Sequence, residues 1–304
     1  KKKVLCQFFS DRAFHFRNKK FHSYLFFGAP RKNVSFQNPF GRCGGYHPGH
    51  PGHDNGHPGH HNAQDTNNGY GACGLAPMAT IMPLKVMDNT GRGRSEWIAA
   101  AIDYAADNGA DVINLSLGGP PSSVIKRVVD RALDRGLVVV AAAGNAGRNK
   151  LASPASIPGV IAVSAIGPDN ERAAYSNYGA NVAFAAPGGS KNSTDTNDPA
   201  GILQEAPSSE TENTHIIRSF QGTSMASPHV SAAIAIVLSS GSGTPENAVE
   251  NLANTATPLD ISGMGYGIPN ISAALHWTQV IEPCTRGLAA SAITIARLAS
   301  IKSF

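Results

Sequence analysis

The chain has 304 residues, of which 41% are apolar and 15% charged, and a formal charge of +4. This apolar share supplies a packed core and excludes a disordered polyelectrolyte. The positive charge is mild and sits mostly in the first 32 residues, so the broad basic face of a nucleic-acid binder is not expected.

Residues 1–45 mix aromatic and basic side chains without clear periodicity; they stay unassigned and read as aberrant or disordered. The opening KKKVLCQFF has a basic lead but too short an apolar core for a signal peptide. VLCQFFS suits a strand, with Asp11 just after it. Residues 46–61 are a low-complexity tract holding six of the eleven histidines. Such Gly-His-Pro repeats commonly form solvated or metal-scavenging segments. Cys6, Cys43, Cys73 and Cys284 show no CxxC spacing and specify neither a zinc site nor a disulfide framework. No apolar run reaches about 18 residues, so no membrane helix is expected.

Regular structure becomes readable from about Ala72. LAPMATIMPLKVMD (75–88) contains a β-like run. SEWIAAAIDYAADNGA (95–110) reads as a helix with Ser95 as cap and Gly109 as stop. DVINLSLGG (111–119) reads as a strand, and SSVIKRVVDRALDRG (122–136) as a helix closed by Gly136. LVVVAAAGN (137–145), GVIAVSAIG (159–167) and NVAFAAPG (181–188) read as further strands. Residues 189–216 are polar and acidic and read as a surface insertion, before a central helix from Thr223 to Leu238. Continuous apolar strands alternating with amphipathic helices predict an α/β fold. Its expected form is three-layered and doubly wound, a mostly parallel sheet with helices on both faces. Ligands of such sheets bind beyond the carboxyl ends of the strands. LAASAITIARLASIK, in the tail 278–304, suits either a short amphipathic helix or an appended remnant.

Ser224 stands where the central helix begins. Unpaired backbone N–H groups and the positive end of the helix dipole meet there, a setting that suits a developing oxyanion. By position alone a serine at this place is an ordinary helix cap. The wording around it points elsewhere: GTSMASPHV (222–230) resembles the nucleophile signature of the subtilisin-like serine peptidases. Other stretches resemble the same family in the same order: GLAPMATIMPLKVMD, ADVINLSLGGP, VVVAAAGNAG, SPASIPGVIAVSAIGPDNERAAYSNYG, VAFAAPGG and GYGIPNISAAL. A peptidase domain over residues 46–277 follows from this resemblance.

The resemblance implies a serine endopeptidase. Ser224 would attack, and the Asn145 amide with the Ser224 N–H would hold the oxyanion. Ser116, Leu117 and Gly118 would offer a backbone edge to an extended peptide. Ala143 and Gly144, with Gly118 and Gly119, would wall the pocket for the residue before the cut. The family register places the base at His53, with His57 and His60 as rivals in the same tract. Asp11-Arg12-Ala13 departs from the Asp-Ser-Gly or Asp-Thr-Gly of the family, so the orienting aspartate is not assigned. TNNGYGACG (66–74) resembles a calcium-holding loop. There Asn68 would bind by its side chain and Thr66, Tyr70 and Ala72 by their carbonyls. The resemblance further implies protein or peptide substrates, no catalytic cofactor, no membrane or nucleic-acid partner, a monomer, and secretion. Two rival readings remain: a peptide-binding relative without catalysis, and a metal-binding protein using the histidine tract on a peptidase scaffold.

Overall fold

Among the described residues, strand-forming runs of the sequence meet in a six-stranded parallel sheet. The computed structural model of the protein describes residues 4–9, 74–88, 91–190, 198–207 and 215–276. The strands are β1 (Val4–Phe9), β2 (Thr80–Lys85), β3 (Val112–Leu115), β4 (Val138–Ala142), β5 (Ile161–Ile166) and β6 (Phe184–Pro187). Their order across the sheet is β2-β1-β3-β4-β5-β6. The first strand of the chain therefore lies between β2 and β3, with Val4 opposite Thr80 and Leu5 opposite Val112.

Alternate residues of each strand face opposite layers. Ile113 and Leu115 of β3, with Val139 and Ala141 of β4, pack under α1 (Ser95–Asp107) and α2 (Ser123–Asp134). Val112, Val138, Val140 and Val163 face the other way, under α3 (Thr223–Ser239) and α4 (Pro245–Thr255). Burial on both faces is why β4 reads as an unbroken apolar run and β3 as one interrupted only by Asn114.

Local chemistry explains most helix ends. The Ser122 side chain caps α2 by accepting from the Ile125 N–H at 3.4 Å. Arg94, and not Ser95, is the N-cap of α1, and it makes no side-chain cap bond. The first turn of α1 carries Glu96, which complements the helix dipole. α4, a helix not among the expected elements, begins with Thr244 as cap and Pro245 in its first turn.

Part of the polar stretch 189–216 is regular. β7 (Ile202–Pro207) pairs antiparallel with β8 (His215–Phe220), and β8 runs directly into the start of α3. Within that stretch Asp198 is buried, its carboxylate accepting from the Ala200 N–H at 2.9 Å.

Candidate active site

The carboxyl ends of β3 and β4 and the N-terminus of α3 converge at one edge of the sheet. Gly222 precedes the helix with φ 149°, a backbone conformation that side-chain-bearing residues rarely adopt. That turn brings Ser224 into the first turn of α3, where its N–H has no intrahelical acceptor. The Ser224 hydroxyl donates to the Ser116 carbonyl at 3.1 Å. In return, the Ser116 hydroxyl donates to the Ser224 carbonyl at 2.8 Å. Nucleophile and substrate-edge candidates are thus tied to each other in both directions.

Asn145 is held by its oxygen. Its Oδ1 accepts from the Thr223 N–H at 2.9 Å and from the Thr223 hydroxyl at 2.8 Å. Two donors on that atom fix which end of the carboxamide is oxygen. The Nδ2 group then lies 3.5 Å from the place a Cβ on Gly222 would occupy, facing the turn before Ser224. The Thr223 hydroxyl also accepts from the Gly144 N–H at 3.2 Å, so one side chain spans both loops.

A cleft of about 410 Å³ opens beside Ser224. Leu117, Gly118 and Gly119 line it from the β3 side, and Gly144 and Asn145 from the β4 side. Ala143 lies elsewhere: it is fully buried, and Ala142, Ala146 and Ala152 line the cleft instead. The Ala143 carbonyl is occupied by the Ala152 N–H and the Asn177 amide, which turns this residue into the packed layer.

Sequence reasoning missed three supports. Asn177 is buried and clamps the Asn145 loop. Its Oδ1 accepts from the N–H groups of Ala146 and Arg148 at 3.0 and 3.1 Å, and its Nδ2 donates to the Ala143 carbonyl at 3.1 Å. Asn114 is fully buried on the α3 side of β3. Its Oδ1 accepts from Ser227 and, at 2.9 Å, from Ser231; its Nδ2 donates to the Ser116 hydroxyl at 2.8 Å. Tyr175 hydrogen-bonds the turn beneath Gly222. A polar residue inside an otherwise apolar strand was the available signal for Asn114. Asn177 gave none, because its role appears only once loops distant in sequence meet.

His229, in the same helix as Ser224, is engaged by the helix itself. It is half-buried, its Nδ1 lies 2.7 Å from the Met225 carbonyl, and desolvation lowers its pKa from the ordinary histidine value. His53, His57, His60 and Asp11 lie outside the described residues, as do Thr66, Asn68, Tyr70 and Ala72. Among the described residues no group of three or more His, Cys, Asp or Glu could hold a metal ion, and no helix is long and apolar enough to cross a membrane.

The subtilase family matches residues 47–270. Subtilisin NAT of Bacillus subtilis subsp. natto is 40% identical over 215 residues, which cover 68% of this chain and 52% of that protein. Subtilisin of Bacillus pumilus is also 40% identical over 215 residues, covering 68% of this chain and 72% of that one. Among solved structures, a protease from Pseudoalteromonas arctica PAMC 21717 superposes with a TM-score of 0.67 at 34% identity, covering 72% of this chain and 69% of its own. The chain belongs to the subtilase family. It spans about half the length of the first of these curated relatives.

Proposed function

We propose that this chain is a serine endopeptidase working through an acyl-enzyme on Ser224. The observation that carries the reading is the locked carboxamide of Asn145. Thr223 occupies its oxygen and leaves its two N–H donors beside the nucleophile's turn. Preorganised donors aimed at developing charge are commonly the largest single contribution to acyl-transfer catalysis.

In this mechanism an extended peptide lies along Ser116–Gly118, with the side chain before the cut in the adjoining cleft. The Ser224 Oγ attacks the scissile carbonyl carbon while a histidine takes its proton. The carbonyl oxygen becomes an oxyanion held by Asn145 Nδ2 and the Ser224 N–H. Collapse breaks the C–N bond, and the histidine returns the proton to the leaving amine. Water, activated by the same histidine, then hydrolyses the ester.

His53 is proposed as the base, with His57 and His60 as rivals; the family match beginning at residue 47 covers all three. The orienting carboxylate is sought at the end of β1. Phe8 stands opposite Leu115, so β1 leaves the sheet at the edge where β3 leads into Ser116. Asp11 follows Phe9 by two positions in the sequence, although Arg12 and Ala13 depart from the family wording.

Protein or peptide substrates, a monomeric state and an extracellular location belong to the same proposal. So does a structural calcium ion held by Thr66, Asn68, Tyr70 and Ala72; an amide and three carbonyls are a donor set that suits Ca²⁺. Catalysis through serine needs no cofactor. The test is labelling by a fluorophosphonate, read by intact mass. One equivalent should add to the native chain and none to Ser224→Ala. A folded native chain that takes no label is a peptide-binding relative and not an enzyme.

A further inference from the structure

Tyr175 sits between β5 and β6 and touches both halves of the site without reaching the cleft. Its main-chain carbonyl accepts from the Gly147 N–H at 2.7 Å, two residues beyond Asn145. Its phenol lies 2.8 Å from the Gly188 carbonyl and 2.7 Å from the Gly189 carbonyl. The Gly188 carbonyl also accepts from the Gly222 N–H at 2.9 Å. The single phenolic proton is shared between the two neighbouring carbonyls, so the Gly188 oxygen meets both the phenol and the N–H of the residue that sets the turn into Ser224.

Room at this turn is minimal. A Cβ on Gly188 would lie 2.4 Å from the Ala165 Cβ, 2.9 Å from the Gly222 carbonyl oxygen and 3.1 Å from the Tyr175 hydroxyl oxygen. No side chain can brace the turn from within, so its carbonyls are aimed by the donors they meet. Burial pushes the Tyr175 pKa up to about 12, against a smaller opposing effect of the Gly222 N–H, so the phenol stays protonated across the working range of a serine nucleophile.

We propose that Tyr175 is a positioning residue: its main chain anchors the Asn145 loop and its hydroxyl fixes the Gly188–Gly222 contact that sets the angle of Ser224. The inference rests on the reading of Ser224 as the nucleophile. It concerns orientation and not substrate affinity, so its signature is a loss in the chemical step alone.

Tyr175→Phe in the full chain removes one hydroxyl and keeps the ring. Inactivation by a saturable peptidyl diphenyl phosphonate separates binding (KI) from the attack of Ser224 (kinact). With one hydrogen bond lost, kinact should fall about five-fold while KI stays within about two-fold. Amide exchange across residues 221–225 should quicken in the variant, with exchange in β3 and β4 unaltered. Unchanged kinact, or a rise in KI alone, overturns the inference. If the native chain does not react at all, the peptidase reading fails by itself. Exchange at residues 221–225 then decides the positioning role, quickening supporting it and no change overturning it.

Discussion

Strand β3 presents Ile113 and Leu115 to one side and Val112 and Asn114 to the other, and the two sides have solved different problems. Under α1 and α2 the buried surface is apolar, and charge among the described residues there lies outside, as exposed pairs such as Arg131 with Asp103 at 2.7 Å. Under α3, Asn114, Ser227 and Ser231 are buried together, and Asn114 connects through Ser116 to the Ser224 carbonyl. An apolar layer tolerates changes of angle, because the hydrophobic effect has no direction. A buried polar layer does not, because each lost partner leaves a group desolvated and unpaired. The layer beneath the chemistry is the one with fixed angles.

Four substitutions and one titration would break or sharpen this contrast. Ser224→Ala should have the largest effect; the reference is the known loss in subtilisin itself, about 2 × 10⁶ in kcat. Peptide hydrolysis with active-site titration checks it. Asn145→Ala should follow, carrying over the known cost for subtilisin's own oxyanion asparagine, about 10²–10³ in kcat. A change concentrated in KM would instead make Asn145 a binding group. On the opposite face, Ile102→Ala should cost about 2–5 kcal/mol in denaturant unfolding and leave the phosphonate kinact unchanged. Coupled losses there would mean that the two faces are not independent.

The titration concerns His229. Its folded pKa is lowered by burial, so as pH falls the unfolded chain takes up this proton first. The stability it contributes is complete above its unfolded value, about pH 6.5, and is lost as pH drops toward the folded one. Melting temperature against pH should therefore decline more steeply below neutrality in the native protein than in His229→Gln. Equal slopes would remove His229 from the account. The smallest effect is expected from Arg131→Met, whose exposed partner is screened at physiological salt; melting and labelling should both match the native chain.

Much of the architecture was legible because burial on both faces makes a strand uniformly apolar, as in Val138–Ala142. Helix ends were nearly so, and the shift from Ser95 to Arg94 at α1 is one residue. The β7–β8 hairpin was missed because its connection is polar and acidic, and polarity alone does not separate an insertion from a paired ribbon. Strand order was invisible, since no local pattern says that β1 enters between β2 and β3. At the site, Ser224 and Asn145 stood out by wording. Asn177 and Tyr175 did not, because their partners Ala146, Arg148, Gly188 and Gly189 become neighbours only in the folded chain.

The placement of β1 has a consequence for assembly. Its two neighbours are β2 and β3, at residues 80–85 and 112–115, so β1 waits for chain made much later before it has an edge to join. Closing so long a separation costs more entropy than pairing strands nearer in sequence, and long-range pairing of this kind is slow. Without β1, β2 and β3 would face each other across a gap of about 10 Å, twice the normal strand spacing. The order of synthesis and the order of the sheet are therefore at odds in this molecule, and the seam where they are reconciled ends beside Ser116.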